Sequence, residues 1–224
     1  MTPERANAAT GSAYVLPMFP LEHAIVPSMV VPLHIFEPRY RQFARDLQAM
    51  KEPSFGIVGI ERGREVGGND QRFDVGVVMR VLHAKEFSDG QWTLTSVASR
   101  RLAVTEWLPE DPYPRALVVD RYDQLEENVD DAAISLDRHT LVTEFERLAA
   151  SVRRHYPQVD LLVDLDPAED PDWRTWEVVS RSGLGALDHV DLLHCDSPAE
   201  RTRLAITQIA ERRALLDALA EGDR

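Results

Sequence analysis

Residues 26–40 read VPSMVVPLHIFEPRY, and this stretch decides how the first part of the chain folds. Residues 29–35 are rich in branched apolar side chains and bounded by proline, which is typical of a β-strand. Pro38 follows at once, and proline is well tolerated in the first turn of a helix. Apolar side chains then recur at helical spacing, at Tyr40, Phe43, Leu47 and Met50. The stretch therefore predicts a strand that turns directly into a helix over residues 37–50.

The segments around this corner also favour strands. Short runs of branched and aromatic residues, bounded by glycine or proline, occupy residues 14–19, 55–60, 73–87, 92–97, 101–108 and 116–119. Asp89-Gly90 between two of these runs is a pair favoured in hairpin turns. In the return strand, Trp92, Leu94 and Ser96 share one face, and Thr93, Thr95 and Val97 share the other. Six or seven strands at short intervals predict a closed or nearly closed β-barrel with one inserted helix.

The second part of the chain changes from strand to helical periodicity. Apolar stripes predict a helix ending before Pro157, a short helix with Trp173 and Trp176, another over residues 186–194, and a last one capped by Ser197. We therefore predict an α+β fold. Residues 1–13 form a disordered tail, residues 14–122 a β-barrel subdomain, and residues 123–224 a C-terminal α-helical bundle subdomain.

Charge separates the same two regions. The 224 residues carry a formal charge of −13, of which residues 1–122 contribute −1 and residues 123–224 contribute −12. The acidic region is either a solvated helical surface or an acidic docking face. A net negative field repels phosphate, which argues against general nucleic-acid binding. No apolar run approaches the roughly 18 residues of a membrane span, and residues 1–13 lack the apolar stretch of a signal peptide, so we expect a cytoplasmic protein without membrane contact.

Motifs for catalysis and cofactor binding are missing from the sequence. It contains no G-x-x-x-x-G-K-[ST], no G-x-G-x-x-G after a strand and no G-x-S-x-G. Only Lys51 and Lys85 are available for a serine–lysine pair, and neither lies near a serine-bearing turn. Residues 188–196 gather Asp, His and Cys side chains, and either pack before the next helix, bind a metal or hold an unrecognised hydrolase site. We expect no cofactor, no metal and no catalytic residue.

Several motifs resemble one known family. The runs LPMFPL at residues 16–21, PLHIFEPRY at 32–40, VGVVMRV at 75–81 and LLHCDSPAER at 192–201 resemble the N-terminal, substrate-recognising domain of Lon proteases, especially its small stand-alone bacterial relatives. The resemblance implies a PUA-like β-barrel followed by a helical bundle that contacts proteins. A peptidase S16 label then describes ancestry, because the ATPase and serine–lysine protease modules are absent from these residues.

Candidate contact residues lie at the strand-to-helix corner and on one later strand. A corner of this kind holds exposed side chains on a rigid platform, so we predict a protein-binding site at Phe36, Glu37, Arg39, Tyr40, Arg100 and Arg101. The alternative is that Phe36 and Tyr40 pack the helix onto the barrel. The four charged side chains are expected to face outward. Trp173 and Trp176 either anchor a partner or lie in the helical core.

The sequence thus favours a non-catalytic protein that binds unfolded protein segments or a specific protein partner. The alternative is a PUA-like RNA-binding protein, which would need a basic face lined with aromatic side chains.

The purified protein is expected neither to hydrolyse ATP nor to cleave unfolded casein, because the phosphate loop and the serine–lysine pair are both missing. Phosphate release and gel analysis of casein measure this. Turnover that persists through successive purification steps at constant specific activity would contradict the prediction.

Overall fold

A computed structural model describes residues 11–62, 71–124, 131–159, 161 and 171–222. The chain divides into two compact units, with the boundary between Tyr122 and Asp123. Most of the predicted tail, at residues 1–10, lies outside the described residues, as does most of the loop between the second and third helices.

The first unit is a six-stranded sheet with one described helix. Its elements are β1 (Tyr14–Pro17), β2 (Val30–Ile35), α1 (Pro38–Gln48), β3 (Ser54–Arg62), β4 (Gln71–Glu86), β5 (Trp92–Leu108) and β6 (Arg115–Asp120). The strand order is β1-β6-β5-β4-β3, with β2 added on β5, and all these strand pairs are antiparallel. The predicted hairpin turn joins β4 to β5, and Gly90 supplies the positive φ of 78°.

The predicted barrel is corrected in one respect, because the sheet is not closed. In the described residues β1 and β3 are the two ends of the main strand order, and no continuous ladder joins them. The segment after β1 instead makes two isolated parallel bridges to β3, Met18 with Gly56 and Leu21 with Gly59. Pro20 lies in this segment and has no backbone N–H donor, which disfavours a regular strand there.

Apolar side chains from five strands fill the interior of the first unit. The cluster brings together buried residues of β1, β3, β4, β5 and β6 with the adjacent Met18, namely Leu16, Met18, Val58, Val78, Leu102, Ala116 and Val118. Gly76 allows β4 to approach β3 closely here, since a Cβ atom at this position would overlap the Ile57 carbonyl oxygen and lie 2.9 Å from Val58 Cγ1.

The second unit consists of four described helices, α2 (Asp131–His155), α3 (Pro171–Arg181), α4 (Ala186–His194) and α5 (Pro198–Gly222). Helices α2 and α5 run parallel, because Asp137 pairs with Arg203 and, about four turns further along both helices, Ser151 bonds to Asp217. The predicted stripe on α2 is buried at Leu141, Phe145 and Leu148. Within the described residues, no helix is both long and apolar enough to cross a bilayer.

An ion pair made by a buried arginine fixes the start of α5. Arg201 is fully buried and donates from both Nη atoms to the Asp123 carboxylate at 2.7 Å. Its guanidinium also stacks 4.5 Å from the centre of the Trp176 ring. Trp176 is therefore a core residue of the helical unit. Ser197 caps the helix as predicted by accepting from the Glu200 N–H, while the Glu200 carboxylate accepts from the Asp196 N–H.

We expect Gly76→Ala to lower the free energy of unfolding by about 2 kcal/mol or more, since the new methyl group collides with the backbone of β3. Urea denaturation measures the change. Gly11→Ala is the matched control, because its Cβ would lie 3.9 Å from the nearest atoms. Equal stability of the two variants would contradict the close approach of β3 and β4.

Candidate functional site

The predicted corner is present, but its six residues have different environments. Phe36 lies between β2 and α1 with 51% of its surface exposed, whereas Tyr40 on the first turn of α1 is buried. Tyr40 therefore packs α1 onto the first unit, which is the alternative stated above for this residue. The centre of its ring lies 4.3 Å from the centre of the Phe19 ring. Arg41 ties the corner together, because its Nε donates to the Phe36 carbonyl oxygen at 2.8 Å.

The charged residues of the corner are paired with one another. Arg39 Nε donates to Glu37 Oε2 at 3.1 Å, and its Nη1 lies 3.5 Å from Glu110 Oε2. Glu110 also accepts from Arg72 at 2.7 Å, and the Arg72 guanidinium stacks on Trp107. Each of these four charges already has an opposite charge as neighbour. Glu37 and Arg39 therefore stabilise the corner rather than present a free charge to a partner.

An aromatic cluster holds α1 against the sheet. The Phe43 ring packs edge-on against Phe55 at 5.3 Å and against Tyr113 at 5.4 Å between centroids. The Tyr113 hydroxyl donates to Asp46 Oδ2 at 2.7 Å on the next turn of the helix. These contacts join α1 to β3 and to the segment before β6, so the corner is a rigid platform.

Arg100 and Arg101 lie on opposite faces of β5, and the expectation that both face outward is wrong for Arg101. Arg100 is exposed and donates to Asp120 at 2.8 Å and to the Tyr14 hydroxyl at 3.2 Å. Arg101 is only 4% exposed. The reason is a bulge: Val78 pairs with Arg100 and Met79 with Ala98, which leaves Ser99 without an opposite residue. The extra residue inverts the alternation, and Arg101 falls opposite the buried Val77.

The structure shows a second surface, which we call the open face. In an antiparallel sheet, directly opposite residues share a face. The registers of β2, β5 and β4 therefore place nine side chains in three rows across one face, namely Val30–Val97–Arg80, Pro32–Thr95–His83 and His34–Thr93–Lys85. The opposite face of β2 is buried at Val31, Leu33 and Ile35, so these strands bury one face and expose the other.

The open face has two different margins. Along β2 the exposed side chains are mainly apolar: Val30 is 58% exposed, and Phe36 continues the same alternation past the end of the strand. Along β5 the middle row of two threonines and Val97 is shorter and half-buried. Along β4 the margin is basic, with Lys85 Nζ 5.0 Å from the centre of the Phe87 ring. The face is thus a shallow trough with an apolar side and a basic side.

Parts of this surface are predictable from the sequence, but the surface as a whole is not. Alternation in β2 and the Thr93, Thr95, Val97 face of β5 are visible in the sequence. The β4 margin is not, since Arg80 and His83 are three residues apart, and a simple strand would place them on opposite faces. Leu82 is an extra residue in β4, because Val81 pairs with Ser96 and His83 with Thr95. This second bulge brings both basic residues to one face.

Two further groups of polar side chains form internal hydrogen bonds. In residues 188–196, the Cys195 thiol donates to the Asp191 carbonyl oxygen at 3.6 Å. Nowhere in the described chain are three or more His, Cys, Asp or Glu side chains arranged to hold a metal. Between α2 and α5, Ser151 donates to Asp217, and His155 Nε2 lies 3.1 Å from the same carboxylate oxygen. The serine proton therefore points to a carboxylate and not to the imidazole.

Comparison with solved structures defines the class of fold. The crystal structure of the Lon N-terminal domain protein from Xanthomonas campestris matches with a TM-score of 0.62 and 22% identity, over 87% of this chain and 98% of that chain. The N-terminal domain of Mycobacterium avium complex Lon protease matches with a TM-score of 0.58 and 19% identity, over 88% and 99%. Both share the Lon N-terminal domain fold with this chain, and the predicted α+β class is confirmed.

The family follows from a sequence match. Residues 15–211 match the family model of the ATP-dependent protease La (LON) substrate-binding domain. The chain belongs to this family, and the predicted resemblance to Lon N-terminal domains is confirmed.

Alkaline pH should destabilise the first unit through its buried tyrosines. Burial raises the pKa of Tyr40 to about 12, and burial with the Asp46 hydrogen bond raises the pKa of Tyr113 to about 12. Their ordinary pKa is near 10. The stabilisation by the neutral hydroxyls is complete below pH 10 and is lost as the pH rises from about 10 through 12.

Denaturant unfolding at pH 8 and pH 11 should therefore show a lower unfolding free energy at pH 11. Tyr40→Phe keeps the ring but removes the ionisable group, so its loss between the two pH values should be smaller than that of the wild type. An identical loss in both proteins would contradict the buried, neutral state of Tyr40.

Proposed function

We propose that the protein binds protein segments through the open face, without carrying out a chemical step on them. The observation that carries this proposal is the row of exposed apolar side chains along β2, mounted on a rigid sheet. Val30 and Phe36 are each more than half exposed although their neighbours Val31 and Ile35 are buried. Apolar side chains that are exposed next to one another are typical of interaction surfaces, whereas apolar side chains exposed singly are not.

Membership in the substrate-binding family supports the same function. The matched model describes the substrate-binding domain of an ATP-dependent protease, and the substrates of a protease are proteins. The proposal therefore names unfolded segments of other proteins as the occupant and residues 14–122 as the binding subdomain. Phe36 is a contact residue in it, while Glu37, Arg39 and Tyr40 hold the corner in place. We place this function in the cytoplasm, in agreement with the sequence expectation.

The strength of binding follows from the exposed area. Full burial of a large apolar side chain contributes about 1.5–3 kcal/mol, so covering the exposed half of Val30 or Phe36 contributes about 1 kcal/mol each. A few such contacts, after the loss of translational freedom, give dissociation constants of about 10 μM or weaker. Weak capture of this kind suits a protein that holds many different segments briefly.

The test compares two double variants with the same type of change. Val30→Ser with Phe36→Ser removes two exposed apolar side chains from the open face. Leu215→Ser with Leu219→Ser removes two side chains of similar exposure from α5. Binding to fluorescently labelled unfolded casein at about 200 mM salt should weaken about thirtyfold for the first pair and stay unchanged for the second. Thermal unfolding of both variants checks that each remains folded.

Two outcomes would overturn the proposal. If the Val30→Ser, Phe36→Ser variant binds casein as tightly as the wild type does, the open face is not the binding surface. Tighter binding of single-stranded RNA than of casein, with a loss on the order of 10³ in affinity between 50 and 200 mM salt for about six phosphate contacts, would replace it with the RNA-binding alternative.

A further inference from the structure

We propose that the basic margin of the open face makes the protein selective for segments that carry carboxylates next to apolar residues. This inference rests on the proposed function and specifies its substrate class. The margin consists of Arg80, His83 and Lys85 on β4, which are all exposed. The nine side chains of the open face include no carboxylate.

The charges of this margin are not neutralised by the surrounding structure. Among the described residues, neither Arg80 nor Lys85 lies within an ion pair, although other surface arginines of the first unit do, including Arg45 and Arg100. The nearest acidic neighbour along β4 is Glu86, which lies on the opposite face and pairs with Arg45. A chain with a formal charge of −13 thus keeps a basic row beside its exposed apolar row.

The spacing of the rows fits one bound segment. Neighbouring strands are about 4.8 Å apart, so the β2 and β4 margins are separated by about 10 Å, and one segment lying between them can contact both. The short side chains of the β5 row leave room above them. A segment lying along β5 places apolar side chains against Val30 and Pro32, and carboxylates against Arg80 and Lys85.

The net negative charge of the chain does not cancel this preference. Charges more than about 8 Å away are largely screened at physiological ionic strength, so a carboxylate held over β4 responds mainly to the basic row beneath it. Exposed ion pairs are individually weak, and two of them together give a preference of about fivefold. The basic margin therefore provides selectivity and is not the main source of affinity.

The experiment uses the full chain and three labelled peptides with the same apolar residues and the same length. The intervening positions are Glu in the first peptide, Gln in the second and Lys in the third. At about 150 mM salt, fluorescence anisotropy should show about fivefold tighter binding of the Glu peptide than of the Gln peptide, and the weakest binding for the Lys peptide. The preference should shrink as salt is raised, while binding of the Gln peptide should not.

Reversing the charges of Arg80 and Lys85 tests whether the preference for the Glu peptide comes from the basic margin. Arg80→Glu with Lys85→Glu should invert the order of the Glu and Lys peptides. Arg62→Glu with Arg153→Glu is the matched control, because it changes the net charge equally at exposed positions off the open face, and it should preserve the original order.

The results separate this inference from the function on which it rests. Equal binding of the three peptides, together with weaker binding by the Val30→Ser, Phe36→Ser variant, would overturn the selectivity and keep the proposed function. Absence of binding for all three peptides would overturn both. Inversion of the order in the control variant would show a general charge effect and also overturn the selectivity. A short single-stranded RNA that competes with the Glu peptide at equal concentration would assign the margin to phosphate instead.

Discussion

Strand β5 is the element on which the first unit depends. It pairs with β4 along most of its 17 residues, with β2 through its first part and with β6 through its last part. The bulge at Ser99 divides these parts. Before the bulge, even-numbered residues such as Leu94 and Ala98 lie on the buried face of β5. After the bulge, the odd-numbered Arg101 lies on this same face and is buried. Because of this one inserted residue, β5 pairs with β2 in its first part and with β6 in its last part. Arg100, next to the bulge, donates to Asp120.

The open face follows from this division. In the first part of β5, the strands β2 and β4 lie on both sides and α1 packs near one end, so one face is buried and the other meets solvent. Pro32 in the middle of β2 has no N–H, and a proline in a strand is tolerated at the edge of a sheet. The apolar side chains along β2 and the basic ones along β4 are thus held in fixed register. Rigid presentation lowers the conformational cost of binding.

The helical unit is stabilised in a different way. Its buried Arg201 is bonded twice to Asp123 and stacked on Trp176. Transferring a charge from water into a protein interior costs several kcal/mol, and only good geometry compensates. The two hydrogen bonds and the aromatic face provide that geometry. The pair ties the first residue of the unit to the start of α5. Among the acidic side chains of this unit, Glu146 and Glu211 are exposed, whereas Glu144 and Glu177 are buried.

Much of the fold was determined by local sequence. The proline after the branched run of β2 determines the corner at Pro38. Asp89-Gly90 determines the hairpin turn, and Ser197 determines the start of α5. Each of these signals acts within a few residues of the chain. The basic margin of the open face was decided by tertiary structure. Bulges at Leu82 and Ser99 invert the alternation of β4 and β5, and no local signal marks them. A bulge is set by hydrogen bonding between strands distant in sequence, so only the assembled sheet decides which basic residues lie beside the apolar row of β2.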